Sequence, residues 1–229
     1  MGLKKPVRVR RLVLGSLLVI VGVPILQVLV LKFITPPITV PMVWEWVRNI
    51  PRDKLDEFPI YQWRDLNEIS PSLRRAVLAA EDQRFLLHNG FDFIEIRKVT
   101  RDILARNRVR GASTITMQAA RSLFLIPSRS VIRKGVEIYY AFLMECFWDK
   151  PRILEIYLNT VDWGHITVGA EAAANRYFSS SAAHLTPSQA ALMASILPSP
   201  HSWSVKKPTS YLRSRQRRIL KDMKLMPLL

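Results

Sequence analysis

The stretch EDQRFLLHNGFD, residues 81–92, contains side chains whose types and spacing could carry acid–base chemistry. Glu81 and Asp82 are adjacent, and repulsion between like charges raises the pKa of a carboxyl group toward the range of a general base. On a continuous helix, Phe85 and His88 would lie one and two turns further along the face that carries Glu81. A pair of acids near a helix end more often lies at the solvated surface. This stretch alone therefore does not establish an active site.

A second charged group lies at residues 133–137, which read RKGVE. Arg133 and Lys134 precede Glu137 by four and three residues, so we predict that the three side chains converge on one face of a helix. Taken alone, such a group is ordinarily a surface salt bridge that stabilises a helix only slightly.

Helices are expected to position both groups, because patterns that start and stop helices recur along the chain. One predicted helix has Ser70 as its N-cap and Pro71 in its first turn, and it continues through residue 89 to stop at Gly90. Further helices are predicted from Ser113-Thr114, over residues 131–148, after Pro151, and after the capping box at 186–189. Strand-like alternation is scarce, so we predict a mainly α fold without the βαβ repeat of a nucleotide-binding sheet.

The N-terminal region predicts a membrane anchor. Residues 1–11 contain five Lys or Arg, and no acid occurs before Glu45. Residues 12–31 contain no charge, and about 20 apolar residues at roughly 1.5 Å each match a hydrocarbon core about 30 Å thick. A cleaved signal peptide is the alternative, although its apolar run is usually only about 7–15 residues long. The positive-inside rule would keep the basic tail in the cytoplasm and export the rest.

The predicted order is a basic tail at 1–11, a transmembrane helix at 12–31, a stalk at 32–50 and an exported domain at 51–229. Residues 33–44 contain three prolines and no charge, so the stalk is expected to be non-helical there. Nearby side chains that suit the interface between lipid and water are Trp44, Trp46 and Arg48.

The charge of the chain predicts an anionic partner. The 229 residues have a formal net charge of +16, and +11 remains when the five cations of the tail are left out. Nucleic acid, a membrane surface and a phosphorylated substrate would all fit, but export across a membrane argues against nucleic acid. Cys146 is the only cysteine, which predicts a buried structural thiol rather than a disulfide or a zinc site.

Five blocks of the sequence, in this order, resemble the bacterial peptidoglycan glycosyltransferases. They extend from Glu81 to Pro200 and read EDQRFLLHNGFD, GASTITMQAARSLFL, RKGVEIYYAFLMECFWDKPRILEIYLN, WGHITVGAEAAANRYF and LTPSQAALMASILPSP. Members of this family form the polymerase domain of class A penicillin-binding proteins and also exist as monofunctional, membrane-anchored enzymes. Because no transpeptidase domain follows the last block, the chain is expected to be similar to the monofunctional group.

The resemblance implies a lysozyme-like, mainly α fold with a smaller mobile lobe, preceded by one transmembrane helix. It implies an enzyme of cell-wall synthesis that joins lipid II units into β-1,4-linked glycan strands, inverts the anomeric carbon and releases undecaprenyl diphosphate. The implied partners are lipid II, the growing lipid-linked glycan chain, membrane lipids, and other cell-wall synthesis or division proteins. The implied location is the bacterial inner membrane, with the N-terminus in the cytoplasm and the catalytic domain in the periplasm.

The same resemblance implies roles for individual residues. Glu81 matches the family's general base, and Glu137 matches a second glutamate that binds an ion or positions the leaving group near the donor diphosphate. Arg133 and Lys134 match cations that bind the diphosphate. No obligatory cofactor and no protein metal site is expected, although a divalent cation, Mg or Mn, near the diphosphate fits this chemistry. The remaining candidates for substrate binding are Asp82, Phe85, His88, Ser113, Thr114, Gln118 and Arg121.

Some of these positions have a structural explanation or depart from the commonest pattern. A hydrogen bond near a helix end would explain His88, packing against Glu81 would explain Phe85, and a helix cap would explain Asn159. The helix that begins near Ser113 is expected to offer backbone N–H groups to an anion. Residues that depart from the family's usual Gln, Lys and Asn are Met117, Arg121 and Ser122.

Residues 93–110 mix apolar side chains with Arg and Lys. As a helix this segment would be amphipathic and basic, which suits anionic lipid headgroups, and we expect it to form a lobe that is poorly ordered without ligand. A solvated helix face is the alternative explanation.

Two other functions are kept as alternatives. A lysozyme-like muramidase would need a protonated acid at the leaving oxygen and would not need cations for a diphosphate. A catalytically degenerate scaffold of cell-wall synthesis would need the anchor and the basic surface but neither Glu81 nor Glu137.

Overall fold

The fold is described from a computed structural model that covers residues 5–49, 58–105, 111, 113–164 and 167–229. The chain divides into two compact units, Met1–Pro36 and Pro37–Leu229.

The first unit contains helix α1, Lys5–Leu31, with Pro24 inside it. Its segment Leu14–Leu31 has a mean hydropathy of 2.6 and is long and apolar enough to cross a membrane. The helix predicted for this part of the chain is therefore confirmed. A signal sequence would satisfy the same criteria of length and composition, so retention as an anchor stays a prediction.

The second unit is built from helices, which confirms the predicted fold class. In chain order the described elements are α2 (Val40–Asn49), β1 (Ile60–Tyr61), α3 (Pro71–Glu81), α4 (Phe93–Leu104), α5 (Ile115–Phe124), α6 (Val131–Phe147), α7 (Lys150–Thr160), β2 (Thr167–Val168), α8 (Ala170–Phe178), α9 (Pro187–Ile196) and α10 (Ser210–Asp222). Strands β1 and β2 pair in parallel, with Ile60 opposite Thr167.

Two groups of helices share the core. Helix α9 packs against α3 and α10, and α5 packs against α6 and α7. Helices α7 and α9 are buried on most sides, and each supplies apolar side chains that exclude water. Cys146 on α6 is exposed, so the prediction of a buried thiol is wrong.

Side-chain caps fix where the helices begin. Ser70 accepts a hydrogen bond from the backbone N–H of Leu73, as predicted. Thr186 and Gln189 form the predicted capping box at the start of α9. Other N-caps at helices of this unit are Thr114, Ser130, Asp149 and Thr209. The predicted starts at Ser70, Thr114, Val131 and Thr186 are accurate, because a cap is a local interaction within the first turn of its own helix. Helix α7 begins at Lys150, slightly before its predicted start after Pro151, and α10 was not predicted.

The predicted non-helical stalk over residues 33–44 is wrong in its last part, because α2 begins at Val40. Pro41 occupies the first turn, where a residue without an N–H is tolerated. Thr39 caps this turn by accepting a hydrogen bond from the backbone N–H of Met42 at 3.4 Å.

The predicted helix from Ser70 to Gly90 is also wrong in its second half. Helix α3 ends at Glu81, and Asp82 has an extended backbone with φ −159° and ψ 77°. Only a short 3₁₀ turn, Phe85–Leu87, follows. Glu81 therefore does not share a helical face with Phe85. Gly90 does have the positive φ that was predicted for it, +83°, but in a turn rather than at the end of a helix.

The side chain of Asn159 holds the segment that precedes α3 against α7. Its amide accepts a hydrogen bond from the backbone N–H of Arg64 at 2.9 Å and donates one to the carbonyl of Arg64 at 2.8 Å. The prediction that Asn159 caps a helix is wrong, since it pairs with an extended segment from a distant part of the chain.

Two glycines give a matched test of this packing. Gly169 has φ +86°, and an added Cβ would lie 2.6 Å from the carbonyl oxygen of Asn159. We expect Gly169→Ala to lower the free energy of unfolding by about 1–3 kcal/mol. Gly135 lies within α6 with nothing near its missing Cβ, so Gly135→Ala should raise it by about 0.5–1 kcal/mol. Thermal unfolding of the full chain in detergent measures both, and equal effects of the two substitutions would contradict this account.

Candidate active site

The carboxylate of Glu81 is held at the end of α3 by one hydrogen bond to each oxygen. Gln118 Nε2 on α5 donates to Oε2 at 3.0 Å, and Arg215 Nη2 on α10 donates to Oε1 at 3.3 Å. The side chain of Glu81 is 12% exposed, so a small part of it remains accessible. Each carboxylate oxygen can accept two hydrogen bonds, which leaves capacity for an incoming hydroxyl group.

Burial raises the pKa of Glu81 above its ordinary value, and this cause is the largest. The hydrogen bond from Gln118 and the positive charges of Arg215 and Arg121 lower this pKa, while repulsion from Asp82 raises it by the smallest contribution. The direction of the shift agrees with the sequence analysis, but the cause differs. Desolvation, rather than the neighbouring acid, makes Glu81 a stronger base than an exposed glutamate.

Gln118 connects Glu81 to a buried tyrosine. Its Oε1 accepts a hydrogen bond from the hydroxyl group of Tyr157 at 3.2 Å, while its Nε2 donates to Glu81. Tyr157 is completely buried on α7. Burial and, next, the charge of Glu81 raise the pKa of Tyr157 well above its ordinary value, so the hydroxyl group stays a neutral donor. Tyr157 therefore fixes which end of the Gln118 amide faces Glu81.

Ser113 joins Gln118 to the cationic group on α6. Its carbonyl oxygen accepts a hydrogen bond from Gln118 Nε2 at 3.5 Å, and its hydroxyl oxygen accepts one from Lys134 Nζ at 3.3 Å. Lys134 Nζ also lies 2.5 Å from Glu137 Oε1, and Arg133 Nη1 lies 2.5 Å from Glu137 Oε2. A continuous series of polar contacts thus runs from Glu81 to the cations.

The convergence of Arg133, Lys134 and Glu137 on one face of α6 is confirmed. Glu137 is fully buried, whereas the side chains of Arg133 and Lys134 are 18% and 39% exposed. The acid lies beneath the two cations, and both of its oxygens are occupied by them. Lys134 is the more accessible of the two cations.

The carboxylates at this site are paired with groups of the protein. Glu137 is the one acid of the cationic group, and its oxygens already accept from Arg133 and Lys134. Within the described part of the chain, no group of three His, Cys, Asp or Glu comes together that could hold a metal ion. A divalent cation near the substrate stays a prediction.

Asp82 links two helices through its buried carboxylate. Its carboxylate is buried, accepts a hydrogen bond from the backbone N–H of Ile115 at 3.0 Å, and lies 3.0 Å from His88 Nε2. Asp82 therefore connects the end of α3 to the start of α5. The contacts that the structure shows for Asp82 and His88 are with protein, and their contact with substrate stays a prediction.

The start of α5 is less open to an anion than the sequence analysis predicted. The backbone N–H of Ile115 donates to Asp82, and that of Met117 donates to Thr114 Oγ1 at 3.3 Å. The hydroxyl group of Thr114 is buried and donates to the carbonyl of Gly90 at 2.6 Å. Thr114 thus positions the helix, and protein acceptors occupy these two N–H groups. Binding of an anion at the start of α5 stays a prediction.

A further group of side chains supports the turn that follows Asp82. Lys150 Nζ lies 4.5 Å from the centre of the buried Phe85 ring and donates to the carbonyl oxygen of His88 at 2.7 Å. Glu145 accepts a hydrogen bond from Lys150 at 2.8 Å and another from Thr116 at 2.5 Å. Phe85 is therefore buried against Lys150 and His88, and the packing against Glu81 expected for it stays a prediction.

The three positions that depart from the commonest family pattern lie on α5. Arg121 is exposed, and its charge acts on Glu81. Ser122 pairs with the hydroxyl group of Thr160 at 2.8 Å, and Met117 is buried. Arg121 keeps a cation at the site, whereas the other two residues contribute to packing between helices.

Two residues that contact this network were missed by the sequence analysis. Tyr157 lies inside the third block, where its position in YLN gives no sign that its hydroxyl group reaches Gln118. Arg215 belongs to the basic stretch 213–221, outside the five blocks, and no local pattern distinguishes it from its exposed neighbours.

A partly buried base next to a cationic group is typical of a group-transfer enzyme. Glu81 can accept a proton from a hydroxyl group, while Lys134 and Arg133 can hold an anionic leaving group. The hydrogen-bonded series through Gln118 and Ser113 fixes the position of Glu81 relative to the cations.

Comparison with known proteins identifies the family. The family model described as Transglycosylase matches residues 54–224. Two curated relatives, from Caulobacter vibrioides and Shewanella oneidensis, are each named biosynthetic peptidoglycan transglycosylase. The chain is 44% identical to the first over 92% of its own length and 89% of the relative's. It is 47% identical to the second over 87% of its own length and 84% of the relative's. The chain belongs to the transglycosylase family, and its lysozyme-like fold class is as predicted.

A relative from Bacteroides thetaiotaomicron carries the same name and is 44% identical over 89% of this chain and 82% of its own. The resemblance inferred from the five blocks is therefore confirmed.

Two aspartates give a test of the role of Asp82. We expect Asp82→Asn to lower the free energy of unfolding by about 1.5–3 kcal/mol, because a neutral amide replaces a buried acceptor of charge-assisted hydrogen bonds. Asp149→Asn is the matched control, since Asn is as good an N-cap as Asp and should cost less than about 0.5 kcal/mol. Urea or thermal unfolding measures both. A tolerated Asp82→Asn would show that this carboxylate does not hold α3 and α5 together.

Proposed function

We propose that this chain polymerises lipid II into β-1,4-linked peptidoglycan strands and releases undecaprenyl diphosphate. The observation that carries the proposal is the series of contacts from Glu81 through Gln118 and Ser113 to Lys134. It connects a largely buried carboxylate and two cations in one network, which supports the proposal because transfer of a glycosyl group from a diphosphate requires a base and a group that binds the leaving anion. The names of the relatives support the same activity.

In the proposed step, Glu81 is the general base. The 4-hydroxyl group of the acceptor sugar transfers its proton to Glu81, and the hydroxyl oxygen forms a bond to the anomeric carbon of the donor. The bond from that carbon to the diphosphate breaks at the same time, and the diphosphate leaves with the electron pair. A single displacement of this kind converts the α-linked donor into a β-linked product.

In the same step, Arg133 and Lys134 stabilise the departing diphosphate. Charge that develops on a leaving group is best stabilised by cations whose positions are fixed in advance. Glu137 fixes them here, because it is buried between them and pairs with both. We therefore assign Glu137 a positioning role. Arg121 adds a third cation, while Ser113 and Gln118 provide polar groups between the base and the cations.

The lipid carrier of the substrate fits a chain with a membrane anchor. We propose that helix α1, which is long and apolar enough to cross a membrane, is the anchor. The basic residues before it then favour a cytoplasmic N-terminus and a catalytic unit in the periplasm of a bacterium with an inner membrane. On α4, Phe93 is 74% exposed and Leu104 is 79% exposed, which suits contact with membrane lipids. Residues 106–110 of the predicted basic segment lie outside the described residues. The mobility predicted for this lobe and the predicted contact with other cell-wall or division proteins remain predictions.

The decisive experiment is polymerisation of lipid II by the purified full chain. Glu81→Gln keeps the shape of the side chain but removes the base, so we expect kcat to fall by roughly 10²- to 10⁴-fold. Glu45→Gln, which changes a half-exposed acid on α2, is the matched control and should leave the rate unchanged. Product is measured as glycan strands separated by length.

Other outcomes of this experiment would contradict the proposal. Release of muropeptides from finished peptidoglycan would indicate a hydrolase instead. If the natural chain makes no strands, or if Glu81→Gln makes them at the normal rate, the assignment of Glu81 as the base of a polymerase is wrong.

A second experiment tests whether Lys134 binds the leaving diphosphate. We expect Lys134→Gln to lower kcat by roughly 10²-fold, because it removes one preorganised donor to the diphosphate. Lys134→Arg keeps the charge and should retain more activity, although its planar geometry differs. Lys207→Gln removes an exposed cation elsewhere and serves as the control. Equal activity of Lys134→Gln and Lys207→Gln would exclude Lys134 from the reaction.

A further inference from the structure

Arg215 is an inward-facing cation on a helix whose other cations are exposed. Its side chain is 15% exposed, whereas the neighbouring cations on α10 that lie at the surface are Arg213, Arg217, Arg218 and Lys221. A partly buried guanidinium group needs acceptors for its N–H groups, and the structure shows three of them.

The three acceptors belong to two other helices. Arg215 Nε donates to the carbonyl oxygen of Ser195 in the last turn of α9 at 3.1 Å. Its Nη2 donates to the carbonyl oxygen of Ala80 at 3.4 Å and to Glu81 Oε1 at 3.3 Å, both in the last turn of α3. The last carbonyl groups of a helix have no partners within it, and a cation is favoured there. Arg215 thus joins the C-terminal ends of α3 and α9 at the residue proposed as the base.

We infer that Arg215 is a positioning residue for the reaction: it orients the Glu81 carboxylate and places a positive charge beside one of its oxygens. The inference rests on the proposed function of Glu81. Gln118 binds one oxygen of this carboxylate and Arg215 binds the other, so the plane of the carboxylate is fixed from two sides. Without Arg215, the side chain could rotate about its last bond and lose its alignment with the acceptor hydroxyl group.

The charges around Glu81 determine the effect of pH. Asp82 adjoins it, Arg121 and Gln118 face it from α5, Tyr157 lies behind it on α7, and Arg215 approaches from α10. Arg215 lowers the pKa of Glu81 against the larger effect of burial. If Arg215 is removed, this pKa rises further, and a base that must be ionised then loses activity first at low pH.

The experiment must distinguish this inference from a purely structural role of Arg215. The contacts with the carbonyl groups of Ser195 and Ala80 could stabilise the fold without any effect on Glu81. Such a role would lower the amount of folded enzyme, but it would not change the shape of the pH profile.

The experiment measures lipid II polymerisation by the full chain between about pH 5 and pH 9. For Arg215→Gln, kcat at about pH 6 should fall on the order of tenfold relative to Arg217→Gln, with the loss becoming smaller as pH rises. The KM for lipid II should stay within about twofold, since the lost contact is with the base. Arg215→Lys restores the charge and should move the acid side of the profile back toward that of the natural chain. The inference would be overturned if kcat of Arg215→Gln varied with pH in the same way as kcat of the natural chain. It would also be overturned if Arg215→Gln and Arg217→Gln shifted the pH profile equally.

A measurement that does not depend on activity completes the test. Thermal unfolding is compared for Arg215→Gln in the natural background and in the Glu81→Gln background. Because part of the interaction is with the Glu81 carboxylate, the melting temperature should fall less in the second background. Equal falls would show that Arg215 acts only on the carbonyl groups, which would overturn the inference. If the natural chain makes no glycan, the proposed function fails separately, and the unfolding comparison still decides whether Arg215 and Glu81 are coupled.

Discussion

The burial of the Glu81 carboxylate is the constraint on which the rest of the site depends. An ionised carboxylate that is largely removed from water must receive hydrogen bonds or become neutral. Here the donors come from α5 and α10, and the donor on α5 is itself oriented by a tyrosine on α7. Helix α9 packs against both α3 and α10. This packing holds Arg215 of α10 within hydrogen-bonding distance of Glu81. The helical core therefore serves the chemistry by bringing the ends of several helices to one side chain.

The two halves of the site use charge in opposite ways. At Glu81, polar and cationic groups surround an acid, whereas on α6 a buried acid lies beneath two cations. Burying an ionic group costs several kcal/mol in desolvation. The ion pairs at Glu137 are therefore not explained by a large contribution to the stability of the fold. What these pairs provide is a fixed position for Arg133 and Lys134. Because Ser113 and Gln118 connect the two halves, a shift of α5 relative to α6 would change both at once.

The sequence predicted the parts of this structure that depend on local patterns. The starts of the helices capped by Ser70, Thr114 and Thr186 are accurate, since each cap binds within its own first turn. The convergence of Arg133 and Lys134 on Glu137 follows from helical spacing alone.

The errors occur where distant contacts override a local preference. Asp82 leaves the helical conformation to bind Ile115 and His88, and no pattern near residue 82 states that these partners will be adjacent. Asn159 and Arg215 were placed wrongly or missed for the same reason, because their partners lie far away in sequence. The exposure of Cys146 likewise depends on which face of α6 the neighbouring helices cover. That exposure has a practical consequence, since this thiol is the only one in the sequence. It lies nine residues beyond Glu137, about 14 Å along the helix axis, and can carry a spectroscopic reporter without any engineered cysteine.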